Sequence, residues 1–464
     1  MQSAPSRSTA FHILVQMEQS RNYADDLLRS ERVARLSAQD RDLATALVMG
    51  TLRWQILLDQ LVGGYLARPS AKLDLPIRIA LRLGAYQLLW MDRIPAHAAI
   101  GESVALCRAA GHEHASRMVN AVLRKIATSG WERVEAARVH DSAELARVTA
   151  HPEWIVKRWV SHFGLEPVKW ICEHDQQVPE THLRMMDANV VGEMEAAGIA
   201  LEAGGLLTCA RHLRSTTVRI ADWLRDGRVR VQDEGSQLVA ELAGTGRRIL
   251  DCCAAPGGKT MILAENNPDA EIDAWDASGP RLEAMRQRIA TMTSFTWAER
   301  IRMQHTDAVE WIAHPPARQW DLVLVDAPCS GTGTLGRNPE IRHRLSEEDV
   351  SVFAERQSAL LQAAMDASSR RIVYSTCSLE QEENEQMMAA ALAARPEWQL
   401  RSLRDEVARL QEDGRLTETG VQWLISGLRP DGTLWLLPKQ LDTERVVHTD
   451  GFFVAMLERR DTSA

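Results

Sequence analysis

The sequence lacks the cysteine pattern of a disulfide-bonded or zinc-ribbon protein. Its 464 residues contain seven cysteines, an odd number, and none of them form a CxxC pair. Secreted disulfide frameworks use an even set of cysteines, and zinc ribbons use CxxC pairs. We therefore expect free thiols, and we expect no metal to take part in the chain's chemistry.

Long apolar runs are absent as well. The best candidate, residues 77–90, is interrupted by Arg78 and Arg82, whereas a membrane-spanning helix needs about 20 predominantly apolar residues. Residues 1–20 also lack the basic flank and long apolar core that are typical of a signal peptide. These features predict a cytoplasmic protein that does not use a membrane as a partner.

Excess positive charge is missing overall but present locally. The formal net charge is −9, which by itself would not suggest a nucleic-acid partner. Residues 1–128, however, carry 16 Lys/Arg against 11 Asp/Glu, a net charge of +5, and the remainder of the chain carries −14. A basic front on an acidic body can hold a polyanion locally, although an ordinary solvated helical surface would look the same.

The first half of the chain predicts three segments of different character. Apolar residues recur at helical spacing through residues 1–128, with Pro76 and Pro95 at helix boundaries, which predicts an all-α domain. Residues 129–180 predict a helical connector. Residues 181–232 predict a small α/β domain that holds substrate, with a helix near 190–197 and strands at 181–186, 196–199, 218–220 and 228–232.

From residue 233 onward, apolar runs alternate regularly with helical segments. Such runs predict a parallel sheet covered on both faces, and the candidate strands are residues 248–252, 271–275, 300–304, 322–325 and 371–375. Residues 433–437 and 452–457 predict an antiparallel hairpin that closes the sheet. The expected fold of residues 233–464 is therefore a Rossmann-like α/β domain with a seven-stranded sheet, whose strand ends gather at one edge.

A glycine loop follows the first of these strands, at residues 251–260. It does not match GxGxxG, and it fails as a phosphate-binding Walker A loop because Cys253 stands where the leading glycine is required. Acidic residues end or follow the next strands, at Asp276, Asp307 and Asp326. Such residues can hold the ribose of a nucleoside-type ligand, although each taken singly could equally be a helix N-cap.

Two cysteines, Cys329 and Cys377, each come just after a predicted strand. Ser378 and Gln381 fit a capping box, which predicts that Cys377 lies beside a helix N-terminus, where the helix dipole lowers the pKa of a thiol. Buried, inert cysteines are expected at three other positions, namely Cys107, Cys172 and Cys252.

Two thiols beside a nucleoside pocket suit one particular chemistry. Carbon 5 of cytosine is not nucleophilic, but a thiolate that adds to carbon 6 makes carbon 5 enamine-like and able to attack an activated methyl group. The carbon-5 proton must then leave and the thiol must be expelled, which requires acid–base assistance. Asp326 is placed to recognise the exocyclic amine of the base. The residues alone do not decide which cysteine is the nucleophile.

Two sets of motifs resemble known families. Residues 41–42, 50–53 (GTLR), 82–89 (RLGAYQLL) and 117–124 (RMVNAVLR) resemble the NusB RNA-binding fold. Residues 251–260, 326–333 with 338–340, and 374–378 with 382–384 resemble the Sun/Fmu family of RNA cytosine-C5 methyltransferases. Members with a NusB-like front domain modify 16S ribosomal RNA. The resemblance therefore implies that the partner of this chain is 16S rRNA and that the enzyme is a monomer.

The Sun/Fmu resemblance also implies a cofactor and roles for individual residues. It implies that Cys377 is the nucleophile, that Cys329 assists release of the methylated product, and that Asp326 and Lys259 act at the reacting base. It implies an S-adenosylmethionine site formed by Cys253, Ala254, Ala255, Pro256, Gly257, Gly258 and Lys259, with Asp276, Asp307 and Asp326.

Three alternatives remain at this point. The same chemistry could act on tRNA or on another rRNA position, or the chain could be a non-catalytic RNA-binding assembly factor that keeps the fold.

Arg337, Asn338 and Arg342 follow the Cys329 loop and could contact RNA phosphates. They could equally form the solvated start of a helix.

Overall fold

The protein consists of two compact units. The computed structural model describes residues 4–20, 22–68, 72–132, 134–214, 220–292, 295–312, 319–438 and 447–460. The first unit comprises Met1–Val178 and Leu335–Arg344, and the second comprises Pro179–Thr334 and Leu345–Ala464. The domain boundaries inferred from the sequence remain a prediction.

The first unit is all-α, as the apolar spacing predicts. Prolines occupy the first turns of the helices that begin at Pro5 and Leu75, where a missing N–H has no cost. Its helices are Pro5–Gln19, Ala24–Leu28, Glu31–Ala34, Ala38–Arg53, Gln55–Tyr65, Leu75–Trp90, Ala96–Ala109, Ser116–Ser129, Ser142–Val148, Glu153–Phe163, Leu165–Asp175 and Ile341–Arg344, with 3-10 turns at Glu113–Ala115 and Ala136–Arg138.

Two glycines of the NusB-like motifs explain why those motifs look as they do. A Cβ at Gly50 would lie 2.0 Å from the Tyr86 ring, and a Cβ at Gly84 would lie 2.5 Å from Leu123. Gly50 lies on the helix Ala38–Arg53, Gly84 and Tyr86 lie on Leu75–Trp90, and Leu123 lies on Ser116–Ser129, so each contact joins two helices. Glycine is therefore required at both positions for helices to pack at close range.

The segment Leu335–Arg344 packs into the first unit, and this overturns one expectation. Arg342 is buried, and its guanidinium donates to the backbone carbonyls of Arg53, at 3.2 Å, and of Ala150, at 3.3 Å. Burial lowers the pKa of Arg342 to about 10. The suggestion that Arg342 contacts RNA phosphates is therefore wrong, because its donors are used inside the protein. Arg337 and Asn338 are half-buried.

The second unit contains a small antiparallel sheet with the order β2-β3-β1-β4. Its strands are β1 (Thr181–Met185), β2 (Leu201–Ala203), β3 (Ala210–Leu213) and β4 (Val229–Val231). The predicted strand at 196–199 is wrong, because the helix Ala188–Ala196 extends to that point and Gly198, with a φ of +80°, follows its end. The prediction for 218–220 lies largely outside the described residues, and β3 was not predicted.

The small sheet has two unlike faces, because side chains alternate along each strand. On one face, Leu183, Met185 and Val229 pack against the helix Ala188–Ala196 in an apolar cluster. The other face, here called the charged face, carries His182, Arg184, His212 and Arg230, all buried.

A larger sheet of eight strands forms the rest of the second unit. Its order is β10-β12-β9-β8-β5-β6-β7, with β11 paired to β12. The strands are β5 (Arg248–Asp251), β6 (Glu271–Asp276), β7 (Ile301–His305), β8 (Trp320–Asp326), β9 (Ser368–Thr376), β10 (Trp398–Arg401), β11 (Leu434–Leu436) and β12 (Phe452–Arg459). The helices of this unit are Ala188–Ala196, Ala221–Arg225, Glu234–Leu242, Gly258–Asn266, Gly279–Ala290, Glu347–Ala367, Glu385–Ala394, Arg404–Glu412 and Glu418–Gly427, with 3-10 turns at Thr296–Arg300, Ala308–Ile312, Thr332–Thr334 and Gln381–Glu383.

The predicted multidomain α and α/β fold is confirmed. Strands β5 to β9 pair in parallel, and β12 pairs antiparallel with β9, β10 and β11. The core of β8, residues 322–325, is fully buried, as expected of a parallel strand covered on both faces. Strand β10 was not predicted. The chain leaves β5 toward β6 and β7, then returns to β8 on the other side of β5, which makes a switch point between β5 and β8.

No helix among the described residues combines the length and apolar character that crossing a bilayer requires.

Candidate active site

The site lies at the carboxyl edge of the large sheet, beside the switch point. Strands β5, β6 and β8 end at Asp251, Asp276 and Asp326, and Cys329 and Cys377 follow β8 and β9. We call this group of five residues the carboxyl edge. The convergence predicted from the sequence is therefore present in the fold, since parallel strands end on the same side.

The glycine loop is held against the end of β6 by its backbone. Ala254 N–H donates to the Trp275 carbonyl at 2.8 Å, and Ala255 N–H donates to the Asp276 carboxylate at 3.0 Å. Gly257 has a φ of +99° and immediately precedes the helix Gly258–Asn266. Only glycine adopts this left-handed conformation readily, so the loop can turn sharply from β5 into the helix.

Asp251 was not singled out as a site residue by sequence reasoning. It is buried, and its carboxylate accepts from the Thr260 hydroxyl at 2.7 Å. Burial, with a smaller contribution from the negative charge of Asp326, raises the pKa of Asp251 to about 7. Its position at the end of an apolar run is the sequence signal that could have drawn attention to it.

Lys259 and Asp326 form a partly buried ion pair, with 2.7 Å between the ammonium nitrogen and Oδ2. The other carboxylate oxygen of Asp326 accepts from the Ser375 hydroxyl at 2.8 Å. Burial lowers the pKa of Lys259, but the charge of Asp326 outweighs it and the net shift is upward. Lys259 therefore stays protonated and holds Asp326 at the edge of the sheet.

The two loop cysteines meet. The Cys329 and Cys377 sulfurs lie 3.4 Å apart, within hydrogen-bonding range for sulfur. The hydrogen bond to Cys377, followed by burial, raises the pKa of the Cys329 thiol well above its ordinary value. The Cys329 thiol therefore holds its proton more firmly and can donate its S–H to the Cys377 sulfur.

Glu383 fixes both cysteine loops and is the second residue that sequence reasoning missed. Its carboxylate accepts from the Ser330 N–H at 2.8 Å, from the Gln357 amide at 2.8 Å, and from the hydroxyls of Ser330 and Ser378. Burial raises the pKa of Glu383. Because Ser330 and Ser378 directly follow the two cysteines, this one carboxyl sets the distance between the sulfurs.

The expected capping box of Ser378 and Gln381 is wrong. A 3-10 turn, Gln381–Glu383, follows Cys377, and the α-helix begins only at Glu385. The Ser378 hydroxyl instead donates to Glu383 and accepts from the Glu380 N–H at 3.0 Å. The Cys377 thiol is therefore not beside an α-helix N-terminus.

The loop after β9 is further held by close backbone contact. Gly333 N–H donates to the Cys377 carbonyl at 2.8 Å, and Asn384 donates to the Ser378 carbonyl at 2.9 Å. A Cβ at Gly333 would lie 2.4 Å from the Gly451 carbonyl oxygen. Any larger residue at 333 would therefore push the two cysteine loops apart.

Other residues predicted for the cofactor site are placed less tightly. Asp307 follows β7 and pairs with Arg356 at 3.4 Å. Cys253 is half-buried, and burial raises its pKa well above the ordinary value. Gly258 begins the helix after the loop. The predicted inert cysteines Cys107, Cys172 and Cys252 are all buried.

The charges at this edge fit a ligand that carries positive charge. Three carboxyls end neighbouring strands, and the raised pKa of Asp251 reflects burial and repulsion from Asp326. A sulfonium or ammonium group would relieve that repulsion, whereas a phosphate would add to it. These carboxyls thus suit a cationic ligand such as S-adenosylmethionine better than a nucleoside triphosphate.

Comparison with known proteins gives consistent matches along the chain. The family model "16S rRNA methyltransferase RsmB/F" matches residues 242–458, and the NusB family model matches residues 4–128. The probable ribosomal RNA small subunit methyltransferase B of Bacillus subtilis (strain 168) is 31% identical, over 99% of this chain and 100% of that protein. The ribosomal RNA small subunit methyltransferase B of Pseudomonas putida is 33% identical, over 82% and 87%.

A solved structure shows the same fold. The crystal structure of PH0851 has a TM-score of 0.76 and 22% sequence identity, and covers 99% of this chain and 100% of that chain. Together these matches confirm the resemblances to the two families that the motifs carry.

Proposed function

Because the chain belongs to the ribosomal RNA small subunit methyltransferase B family, whose members are RNA methyltransferases, we propose that it methylates carbon 5 of a cytosine in 16S rRNA. The methyl donor in this proposal is S-adenosylmethionine. The observation that carries it is the 3.4 Å approach of Cys329 to Cys377 at the edge that also holds Asp326 and Lys259.

In the proposed reaction the Cys377 sulfur adds to carbon 6 of the cytosine. Electron density moves to carbon 5, which attacks the methyl group and takes it from the sulfonium. A base then removes the carbon-5 proton, the ring double bond re-forms and the Cys377 sulfur leaves. Cys329 assists this release, because its S–H can stabilise the departing sulfur at 3.4 Å.

Asp326 and Lys259 are proposed to hold the base. The Asp326 carboxylate can accept from the exocyclic amine of cytosine, a group that uracil lacks. Lys259 holds the Asp326 carboxylate in position through the 2.7 Å contact. The target base must be unpaired or turned out of its stack to reach these groups.

The residues that would hold the donor are those of the glycine loop from Cys253 to Lys259, with Asp276, Asp307 and Asp326. The carboxyls at the strand ends offer acceptors for the ribose hydroxyls and for the amino group of the donor. When bound, S-adenosylmethionine supplies an electrophilic methyl group on a sulfonium. The proposal assigns no step to a metal ion.

The test is methyl transfer from labelled S-adenosylmethionine to 16S rRNA, with the modified base located by bisulfite mapping of both rRNA and tRNA. Wild type should modify one 16S cytosine, and Cys377→Ala should not. Cys209→Ala is the matched control, since Cys209 is a partly buried cysteine of the same unit. Label in tRNA alone would favour the tRNA alternative, and no transfer by any protein would favour an assembly factor.

A further inference from the structure

Three metal-ligand side chains converge on the charged face of the small sheet. His182 on β1 lies directly opposite His212 on β3. Glu180 comes two residues before His182, so it points to the same face of the sheet. The register of two short strands therefore gathers residues that lie 32 positions apart in the sequence.

The geometry of the three side chains is compact. One ligand atom from each of Glu180, His182 and His212 lies within 4.8 Å of the other two. The imidazole rings stack with their centroids 4.4 Å apart, and Glu180 Oε2 lies 2.8 Å from His212 Nδ1. Small side-chain rotations would bring the ligand atoms to the roughly 2.0–2.2 Å bond lengths of a zinc site.

Each histidine has a carboxylate behind it. His182 Nδ1 lies 3.2 Å from Asp233 Oδ2, and His212 Nε2 lies 3.4 Å from Glu234 Oε2. Glu234 is itself fixed, because it accepts from the backbone N–H groups of residues 205–207. Carboxylates in this position orient metal-binding imidazoles and set which ring nitrogen carries the proton.

One ring nitrogen is left over. The His182 side chain is fully buried, and its Nε2 has no hydrogen-bond partner. If Nδ1 accepts from the Glu234 N–H, at 3.1 Å, then Nε2 holds a buried proton without an acceptor. If Nδ1 donates to Asp233, Nε2 holds a buried lone pair. Both arrangements leave a buried polar atom without a partner, which is costly. In the arrangement with a lone pair on Nε2, a bound cation would accept that lone pair.

A cavity adjoins the cluster. It has a volume of about 490 Å³, and its wall includes Glu180, His212, Arg214 and His448. An ion held by two histidines and one glutamate would keep a further coordination position open toward this space, as zinc sites with three protein ligands do.

From these observations we propose that Glu180, His182 and His212 form a binding site for one divalent ion of the zinc type. The ion would tie β1 to β3 and, through Asp233 and Glu234, to the start of the helix Glu234–Leu242. Imidazole and carboxylate ligands together suit zinc and its neighbours in the transition series better than magnesium. This site is independent of the proposed methyl transfer, whose residues it does not share.

A second group of possible ligands, Asp74, His112 and His114 in the first unit, provides the internal control. It likewise has one carboxylate and two histidines, but Asp74 and His114 are exposed. Exposed clusters of this kind are common without an ion. A double variant, His112→Asn with His114→Asn, should therefore leave metal binding unchanged.

The experiment uses the full chain after treatment with a chelator. Cobalt(II) is titrated while its visible absorption is followed, zinc is then added in competition, and the melting temperature is recorded with and without zinc. We expect one cobalt ion per chain, displacement by zinc, and a rise in melting temperature with zinc. Glu180→Gln, a change at a partly exposed side chain that should not impair folding, should weaken binding by more than about tenfold.

Three outcomes would overturn the proposal. The wild type could bind neither cobalt nor zinc, which would make the cluster a metal-free hydrogen-bond network. Glu180→Gln and His212→Gln, shown to be folded by circular dichroism, could bind cobalt as tightly as wild type. Binding could also disappear only in the double variant of the first unit, which would place the ion there.

Discussion

The carboxyl edge of the large sheet and the charged face of the small sheet are both built from buried or partly buried residues, but they differ in the partners that satisfy those residues. At the carboxyl edge, Cys329, Cys377 and Asp326 lie at or just beyond the ends of strands, where a ligand can approach, and Lys259 reaches Asp326 from the helix Gly258–Asn266. On the charged face, Arg184 is enclosed by Glu241 at 2.8 Å and Glu265 at 3.0 Å.

This difference separates reactivity from stability. Groups at strand ends change partners when a ligand arrives, so substitutions there should alter the reaction more than the fold. Ion pairs enclosed inside the unit do not contact a ligand, so substitutions there should alter the fold more than the reaction. The following variants test that division.

The largest expected effect is that of Cys329→Ala at the carboxyl edge. Loss of the group that assists release should reduce turnover by about 10³-fold, within the range of acid–base contributions, and a covalent protein–RNA adduct should accumulate. The adduct is measured as a slow band on a denaturing gel. Cys209→Ala should show neither effect, and rapid turnover without an adduct in Cys329→Ala would contradict the assigned role.

Arg184→Met should have the next largest effect, on stability. It takes this cation from the buried Glu241 and the partly buried Glu265, which keep only Arg415 and Arg230. Breaking a buried pair typically costs about 3–5 kcal/mol. Denaturant unfolding measures the change, with the exposed pair variant Arg225→Met as control. Methyl transfer per folded molecule should stay near wild type. A loss of methyl transfer without a loss of stability would contradict the claim that the charged face serves the fold and not the reaction.

Glu383→Gln should have a smaller effect, confined to catalysis. The amide keeps the size of the carboxyl but accepts fewer hydrogen bonds from Ser330 and Ser378, so the two cysteine loops should shift. Misplacement by about 1 Å can cost about 10²-fold in rate. Single-turnover methyl transfer measures this, and Glu382→Gln is the neighbouring control. Equal rates for the two variants would show that Glu383 does not set the sulfur positions.

The smallest expected effect concerns pH and Asp251. With a pKa of about 7, this carboxyl is mostly neutral at pH 6 and mostly ionised at pH 8. A cationic ligand favours the ionised form, so affinity for S-adenosylmethionine should rise by about tenfold from pH 6 to pH 8. Isothermal titration measures the affinity. Asp251→Asn should make the affinity nearly independent of pH. A wild-type affinity that falls as pH rises would contradict the assignment to Asp251.

The carboxyl edge could largely be predicted from the sequence because its residues directly follow strands. Apolar runs indicate the strands, parallel pairing brings their ends together, and the loops therefore meet. Glu383 and Asp251 were missed because burial and hydrogen bonding, not residue type, give them their importance. The capping box at Ser378 is wrong because the residues after it form a 3-10 turn, which brings Glu383 within reach of that hydroxyl.

The charged face could not be predicted in this way. Strand β3 carries Arg211 and His212 and lacks the alternation of an exposed strand, because charged residues lie on its buried side. The pairing of His182 with His212 depends on that unpredicted strand. Arg342 misled for a related reason: a basic residue after a catalytic loop is typical of a phosphate contact, yet burial among backbone carbonyls uses its donors.

The proposed reaction requires the Cys377 sulfur to attack carbon 6 of a cytosine while Cys329 lies beside it. The most direct measurement uses 16S rRNA containing 5-fluorocytosine, whose fluorine cannot leave as a proton does, so the adduct is trapped after methyl transfer. Peptide mass spectrometry of the wild-type adduct should find the nucleotide attached to Cys377, and Cys377→Ala should give no adduct. Attachment to Cys329, or an adduct that persists in Cys377→Ala, would contradict the claim.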